Sequence, residues 1–310
     1  MGYFGGLLLG CQFGNGIGLG KSLVIKKANH QSNLFNRLGE MRRFSYLTQN
    51  LIVRDIKIRY RNSLLGVLWS LLTPLFMMLV FSFVFKVAFP NNDVRQYSVF
   101  VLVGLIPWNF FNGALRLGTV SFVSNSVLIK KVYFPRELLP FSAIVSELVN
   151  FGIAFFVLII FLYGSGLALT IHALWVPLIL LTQVLLTVGL ALLLGSINVF
   201  YRDVGMILDV ALLALFFLTP IMYSLDQYGT TTAIAGFTFN IDPAQIMRWV
   251  NPMASIVDGY RTVLWGTTSS NGPVSMHVPF LLRTFVTSLL IFIVGYIFFL
   301  RTESQFGERL

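Results

Sequence analysis

Residues 54–89 read RDIKIRYRNSLLGVLWSLLTPLFMMLVFSFVFKVAF. The stretch is charged as far as Asn62; from Leu64 it runs apolar, broken only by small or single polar side chains, for longer than the roughly 20 residues a helix needs to cross a bilayer. Continued as a helix, 54–62 puts Arg54, Lys57 and Arg61 at i, i+3 and i+7, three cations on one face. Leu51, Val53, Ile56, Ile58 and Tyr60 stand beside that stripe. Such a helix suits a membrane surface, where cations meet lipid phosphates and the neighbouring side chains enter the acyl boundary. Leu65 and Gly66 offer a bend, after which the chain turns into the bilayer.

Composition agrees. The chain is 56% hydrophobic and 11% charged, against roughly 25% charged in ordinary soluble domains. This is the composition of a polytopic membrane protein. The net charge of +10 does not point to nucleic acid, because ten of the 22 Lys and Arg residues precede Leu64 and no soluble basic domain is left over. Cys11 is the one cysteine, which excludes an internal disulfide and a cysteine metal cluster. Its context, LLLGC, has the look of a lipoprotein cleavage site, but no cation precedes the short apolar stretch, and modification there would send the basic tail outward.

Along the chain, 1–43 reads as a flexible, basic cytoplasmic extension and 44–63 as an amphipathic interfacial helix. The domain 64–300 then holds six spans, at 64–89, 99–117, 138–163, 174–200, 206–223 and 278–300, and 301–310 is a cytoplasmic tail. Pro74 is expected to kink the first span and Pro107 to kink or break the second. Between spans five and six, 243–249 and 253–265 are too short and too polar to cross, and read as surface or re-entrant helices on the outer side. Sixteen cations then fall on the inner side, against Arg95, Arg248 and Arg261 in the outer loops. The positive-inside rule therefore puts both ends in the cytoplasm. The fold class is an all-α integral membrane protein.

No phosphate loop and no metal-type grouping of His or Cys is present, so the chain is not expected to catalyse a reaction or to hold a metal or cofactor itself. Uphill transport would draw on an ion gradient or on a separate ATPase. Glu147, with Asn150 at i+3, lies about 14 Å of helix rise beyond Leu138, near the middle of the third span. It reads either as a proton site or as a group hydrogen-bonded between helices or facing a wet cavity.

The segments RDIKIRYRNSLLGVLWSLLTP, GLIPWNFF, IKKVYFPRELLP, FYRD and NPMASIVDGYR, in this order, resemble the membrane-spanning subunits of ABC-type polysaccharide exporters. That group moves O-antigen, teichoic acid or capsule chains. The resemblance covers about 47–300. It implies a homodimer joined to two nucleotide-binding ATPase subunits, with ATP and magnesium held by those partners and none by this chain. It also implies membrane lipids and a lipid-linked glycan as ligands, no nucleic acid, and residence in the bacterial cytoplasmic membrane.

Carried onto this sequence, Lys130, Lys131, Val132, Tyr133, Phe134, Pro135 and Arg136 would form the helix that docks on the ATPase. An aromatic plug flanked by cations suits a groove; the simpler reading is a positive-inside anchor ahead of the third span. Arg54, Lys57, Arg59 and Arg61, with the bend at Leu65 and Gly66, would stand where a polyprenyl diphosphate enters, since arginine can hold a diphosphate bidentately. Attraction to ordinary anionic lipid explains the same cations, and Asp55 is spaced to pair with Arg59. Trp108, Phe110, Phe111, Tyr223 and Tyr260 are candidates to line a glycan conduit with Glu147, or else belong to lipid-facing belts. The rival functions are an ABC exporter of a drug or small lipid, an ion-coupled carrier working through Glu147, and a membrane scaffold.

Overall fold

The computed structural model describes residues 43–61, 68–88, 94–223, 232–234, 237–239, 243–266 and 272–310. Helices α1 (Ser45–Tyr60), α2 (Leu68–Ala88), α3 (Tyr97–Ser124), α4 (Ser126–Lys131) and α5 (Leu138–Gly164) come first. They are followed by α6 (Val176–Phe200), α7 (Val204–Leu218), α8 (Pro243–Val250), α9 (Pro252–Leu264), α10 (Val278–Thr302) and the short α11 (Phe306–Arg309). A two-stranded antiparallel hairpin, β1 (Thr232–Ile234) with β2 (Phe237–Phe239), stands between α7 and α8, a feature the sequence reading did not foresee.

Among the described residues, four segments are long and apolar enough to cross a membrane: Tyr97–Ser124, Leu138–Gly164, Ile171–Phe200 and Val278–Arg309. Leu71–Phe85 within α2 and Val204–Leu218 are shorter apolar helices. Helix α7 ends at Leu218, short of the expected 223, because Pro220 cannot continue the ladder and Ile221 N–H turns back to Thr219 O at 2.7 Å. Helix α5 ends beyond Gly164, where Gly166 takes φ +75° and lets Leu167 N–H close on Leu162 O at 2.9 Å.

Helix α3 is the axis of the molecule. It packs against α2, α5, α6, α7 and α9, and Phe100, Val101, Leu102, Leu105 and Phe111 are fully buried within it. A helix apolar all round must be surrounded in this way. Of the two outcomes expected at Pro107, a kink or a break, the break does not occur, and the helix continues to Ser124 rather than 117. A proline removes one ladder donor, a loss that a helix held by its neighbours absorbs; here Gln183 Nε2 of α6 also donates to Pro107 O at 2.7 Å.

Helices α6 and α10 pack along each other more extensively than any other pair among the described residues. Gly189 and Gly295 face each other there, and a Cβ on Gly189 would meet the Phe292 backbone nitrogen at 2.6 Å. Small residues that let two backbones touch are the usual association device between apolar helices. Helix α9 is anchored at its start, where Pro252 occupies N1 and the Asn251 side chain accepts from Met253 N–H at 3.0 Å and Ala254 N–H at 3.3 Å. Such a cap contributes about 1 kcal/mol. Asn251 Nδ2 also donates to Thr219 Oγ1 at 2.9 Å, tying α9 to the end of α7.

A second, smaller core closes the end of the bundle that carries Lys130–Arg136, with Leu51, Phe122, Phe134, Leu138, Phe299 and Phe306 packed together. Outward faces of α2, α7 and α10 leave Phe76, Phe83, Val210, Phe217, Leu290 and Ile297 exposed. An apolar exterior of this extent belongs in lipid or against another chain.

Candidate functional site

Helix α1 does not stand apart from the bundle. Its first turns reach the small core through Phe44, Leu47 and Leu51, while its last turn meets α5 at Glu147 and Asn150. Because Glu147 lies about 14 Å of rise past Leu138, α1 climbs along α5. Charged and apolar side chains are mixed around it, with Tyr46 and Ile58 exposed and Leu51 alone buried.

The contact joins residues that the sequence reading had put in two separate sites. Arg59 Nη2 donates to Glu147 Oε1 in an ion pair whose carboxylate is 7% exposed. Asn150 Nδ2 donates to Glu147 Oε2 at 3.2 Å, and Tyr60 Oη donates to Asn150 Oδ1 at 2.6 Å. Gly113 of α3 makes the space, since a Cβ there would come within 2.9 Å of the Glu147 carboxyl carbon. The bond to Glu147 raises the pKa of the Arg59 guanidinium above its ordinary value, against the opposing effect of burial. Asp55 is not the partner of Arg59: it accepts from Arg54 Nε at 3.0 Å, and Arg54 Nη1 reaches Asn125 Oδ1 at 2.8 Å. The spacing rule that favoured Asp55 loses to tertiary packing, which turns Arg59 toward α5.

Beside this pair lies a cleft of about 280 Å³ between α1, α2, α3 and α5, bordered by Asn109, Asn112 and Arg116. Arg116 Nη2 pairs with Asp209 Oδ1 of α7 at 2.7 Å, both side chains half exposed. Lys57 and Arg61 are exposed and make no ion pair among the described residues. Leu65 and Gly66 lie outside the described residues.

At the end of α4 and in the loop after it, Lys130, Lys131, Val132 and Tyr133 are exposed, Tyr133 at 76%. Phe134 is not: it is 4% exposed and packs in the small core, with Pro135 also buried. The exposed aromatic of this loop is therefore Tyr133. Arg136 is held from behind, donating to Glu303 O and lying 5.9 Å from the Phe306 ring.

The aromatic conduit candidates turn inward. Trp108, Phe110, Phe111 and Tyr260 are buried in the main core, Trp108 against Phe111 and Phe216, and Phe110 against Phe151. Tyr260 Oη donates to Gln183 Oε1 at 3.2 Å, and burial pushes its phenol pKa up, so the group remains a neutral donor. Tyr223 is half buried at the turn after α7. Phe110 also borders the cleft beside Glu147.

Two residues that sequence reasoning passed over organise this region. Gln183 bridges α3 and α9 through Pro107 and Tyr260. Arg261, 5% exposed, donates to Pro220 O, to Ile221 O at 2.5 Å and to Tyr223 O at 3.3 Å, with its guanidinium 3.6 Å from the Phe100 ring centre. Its signal was its place four residues after Val257 on the apolar face of α9.

Comparison with known proteins adds the lineage. A family model described as ABC-2 type transporter matches residues 46–265. The chain is 28% identical over 272 residues to an O-antigen export system permease protein RfbA of Klebsiella pneumoniae, covering 86% of this chain and 96% of that protein. A second Klebsiella pneumoniae protein of that name is 29% identical over the same shares. One from Myxococcus xanthus is 31% identical over 226 residues, 73% of this chain and 83% of the relative. With its apolar helices, the chain is a multi-pass protein of the bacterial cytoplasmic membrane that belongs to the ABC-2 type transporter family.

Proposed function

We propose that the chain is the path-forming subunit of an ATP-driven exporter of a lipid-linked polysaccharide, of the O-antigen, teichoic acid or capsule type, working as a homodimer with two ATPase subunits. The observation that carries the reading is the loop Lys130–Tyr133. It projects a bare tyrosine and two lysines from the end of the bundle closed by the small core, the surface chemistry of a docking element. The names of the relatives favour a polysaccharide as cargo.

In this reading α2 and α7 complete six spans, α8 and α9 are re-entrant on the outer side, and both chain ends lie in the cytoplasm. Lys57 on α1 and Arg61 just after it attract the diphosphate of the lipid carrier, whereas Arg54 is already paired with Asp55. Arg59 has a different part, because Glu147 holds it. That ion pair also weighs against an ion-coupled carrier, since it occupies the carboxylate through which such a carrier would work. A small-molecule exporter of the same family would share the docking loop and differ in cargo.

The test is genetic. Deletion of the gene should remove the surface polysaccharide and leave lipid-linked glycan on the cytoplasmic face, with both restored by the intact gene and not by Tyr133→Ala. An unchanged surface glycan would overturn the assignment of cargo.

A further inference from the structure

The cleft beside Arg59 carries chemistry that the cations of α1 do not explain. Its two arginines are both neutralised, Arg59 by Glu147 and Arg116 by Asp209, so it is not an anion site. Asn109 and Asn112, three residues apart on one face of α3, turn half-buried carboxamides toward the same space. Among the described residues no protein group takes up either amide.

Arg116 sits about 12 Å of rise inside α3 from Ser124. A half-exposed ion pair on a membrane helix faces a cavity or the aqueous edge rather than lipid chains. The cleft, about 280 Å³, is therefore neutral and mixed in lining, with Pro74, Ile106, Phe110 and Phe151 beside the two carboxamides. Carboxamides donate and accept at once, and carboxylates accept. That mixture matches hydroxyl groups, which also do both, whereas a phosphate asks for donors alone.

We propose that this cleft is a saccharide-binding site, holding by its hydroxyls the sugar ring nearest the diphosphate of the lipid-linked glycan. The proposal rests on the exporter reading and adds to it a division of labour. Asn109 and Asn112, with the Glu147 carboxylate at the back, receive the ring, while Lys57 on α1 and Arg61 just after it, on the other face of the helix from Arg59, attract the charged carrier to this side of the bundle. The site then distinguishes a loaded carrier from a bare one, so that unloaded polyprenyl diphosphate does not drive the cycle equally well.

The experiment uses the full chain with its ATPase in nanodiscs and reads the half-maximal concentration for stimulating ATP hydrolysis. The probes are undecaprenyl diphosphate alone and the same lipid carrying one N-acetylglucosamine. In the wild type the sugar should lower that concentration about tenfold, the effect of two ordinary hydrogen bonds. In Asn109→Ala/Asn112→Ala the advantage should vanish while the response to bare lipid stays, which also shows that the variant is folded. Lys57→Ala/Arg61→Ala should weaken both responses equally. Equal responses to the two probes in the wild type, or an advantage that survives loss of both amides, would overturn the saccharide site and leave the exporter reading standing. Silence toward both probes in a complex that hydrolyses ATP would overturn both. Should the double variant fail to assemble, Asn112→Ser alone is judged by the same criterion.

Discussion

Glu147→Gln tests the join between α1 and the bundle. The carboxylate accepts from Arg59 and from Asn150 at 3.2 Å, and it is 7% exposed while Arg59 is 34% exposed. A glutamine keeps the shape and one accepting oxygen but turns a charge-assisted bond into an ordinary one, a loss of about 1–1.5 kcal/mol. The free α1 end can rehydrate Arg59, so the larger penalty of a stranded buried charge does not apply. Detachment of the last turns of α1 should therefore become about tenfold more frequent. Glu147→Ala, which removes every acceptor, should raise it about 100-fold, the effect of about 3 kcal/mol. Hydrogen exchange of the Leu51–Tyr60 amides in nanodiscs measures this opening directly. Amides of Leu102–Phe111, in the buried axis, should not change. Wild-type protection of α1 in both variants would refute the claim that the ion pair holds the helix.

Other perturbations separate surface from core. Tyr133→Ala should leave the thermal midpoint of the isolated chain unchanged and weaken ATPase association at least about tenfold, as for an aromatic anchor. Phe134→Ala should instead destabilise the chain itself by about 3–5 kcal/mol, because the ring is buried. Gly295→Ala drives a methyl into the Gly189 backbone and should cost about 1–3 kcal/mol by forcing α6 and α10 apart, read as a lower aggregation temperature; Gly164→Ala, with open space around it, should have no such effect. Phe306→Ala removes the ring packed 5.0 Å from Phe122 and beneath Arg136. It should loosen the Lys130–Arg136 loop, seen as faster tryptic cleavage at Lys130 and Lys131.

The spans at 138–163 and 278–300, and the two helices near 243–265, were legible because long apolar runs and proline-bounded segments carry their own boundaries. The course of α3 was not, since Pro107 breaks an isolated helix and is tolerated in one clasped on every side. The separate sites read from Arg59 and Glu147 merged for a similar reason. Local spacing offered Asp55 as a partner four residues away, and nothing within a single helix reveals a partner 88 residues on. Phe134 and the aromatic conduit candidates show the complementary limit. Aromatic side chains look alike in sequence whether they face glycan, lipid or a core, and burial alone separates them.

Crosslinking shows whether the end of the bundle bearing Tyr133 docks on an ATPase. In a Cys11→Ser background, Tyr133→Cys and Tyr163→Cys place single thiols at exposed positions just before and at the far end of α5. A short bifunctional maleimide reagent applied to the complex should join the ATPase to position 133 and not to position 163. Absence of an adduct at 133, or equal adducts at both positions, would contradict the account.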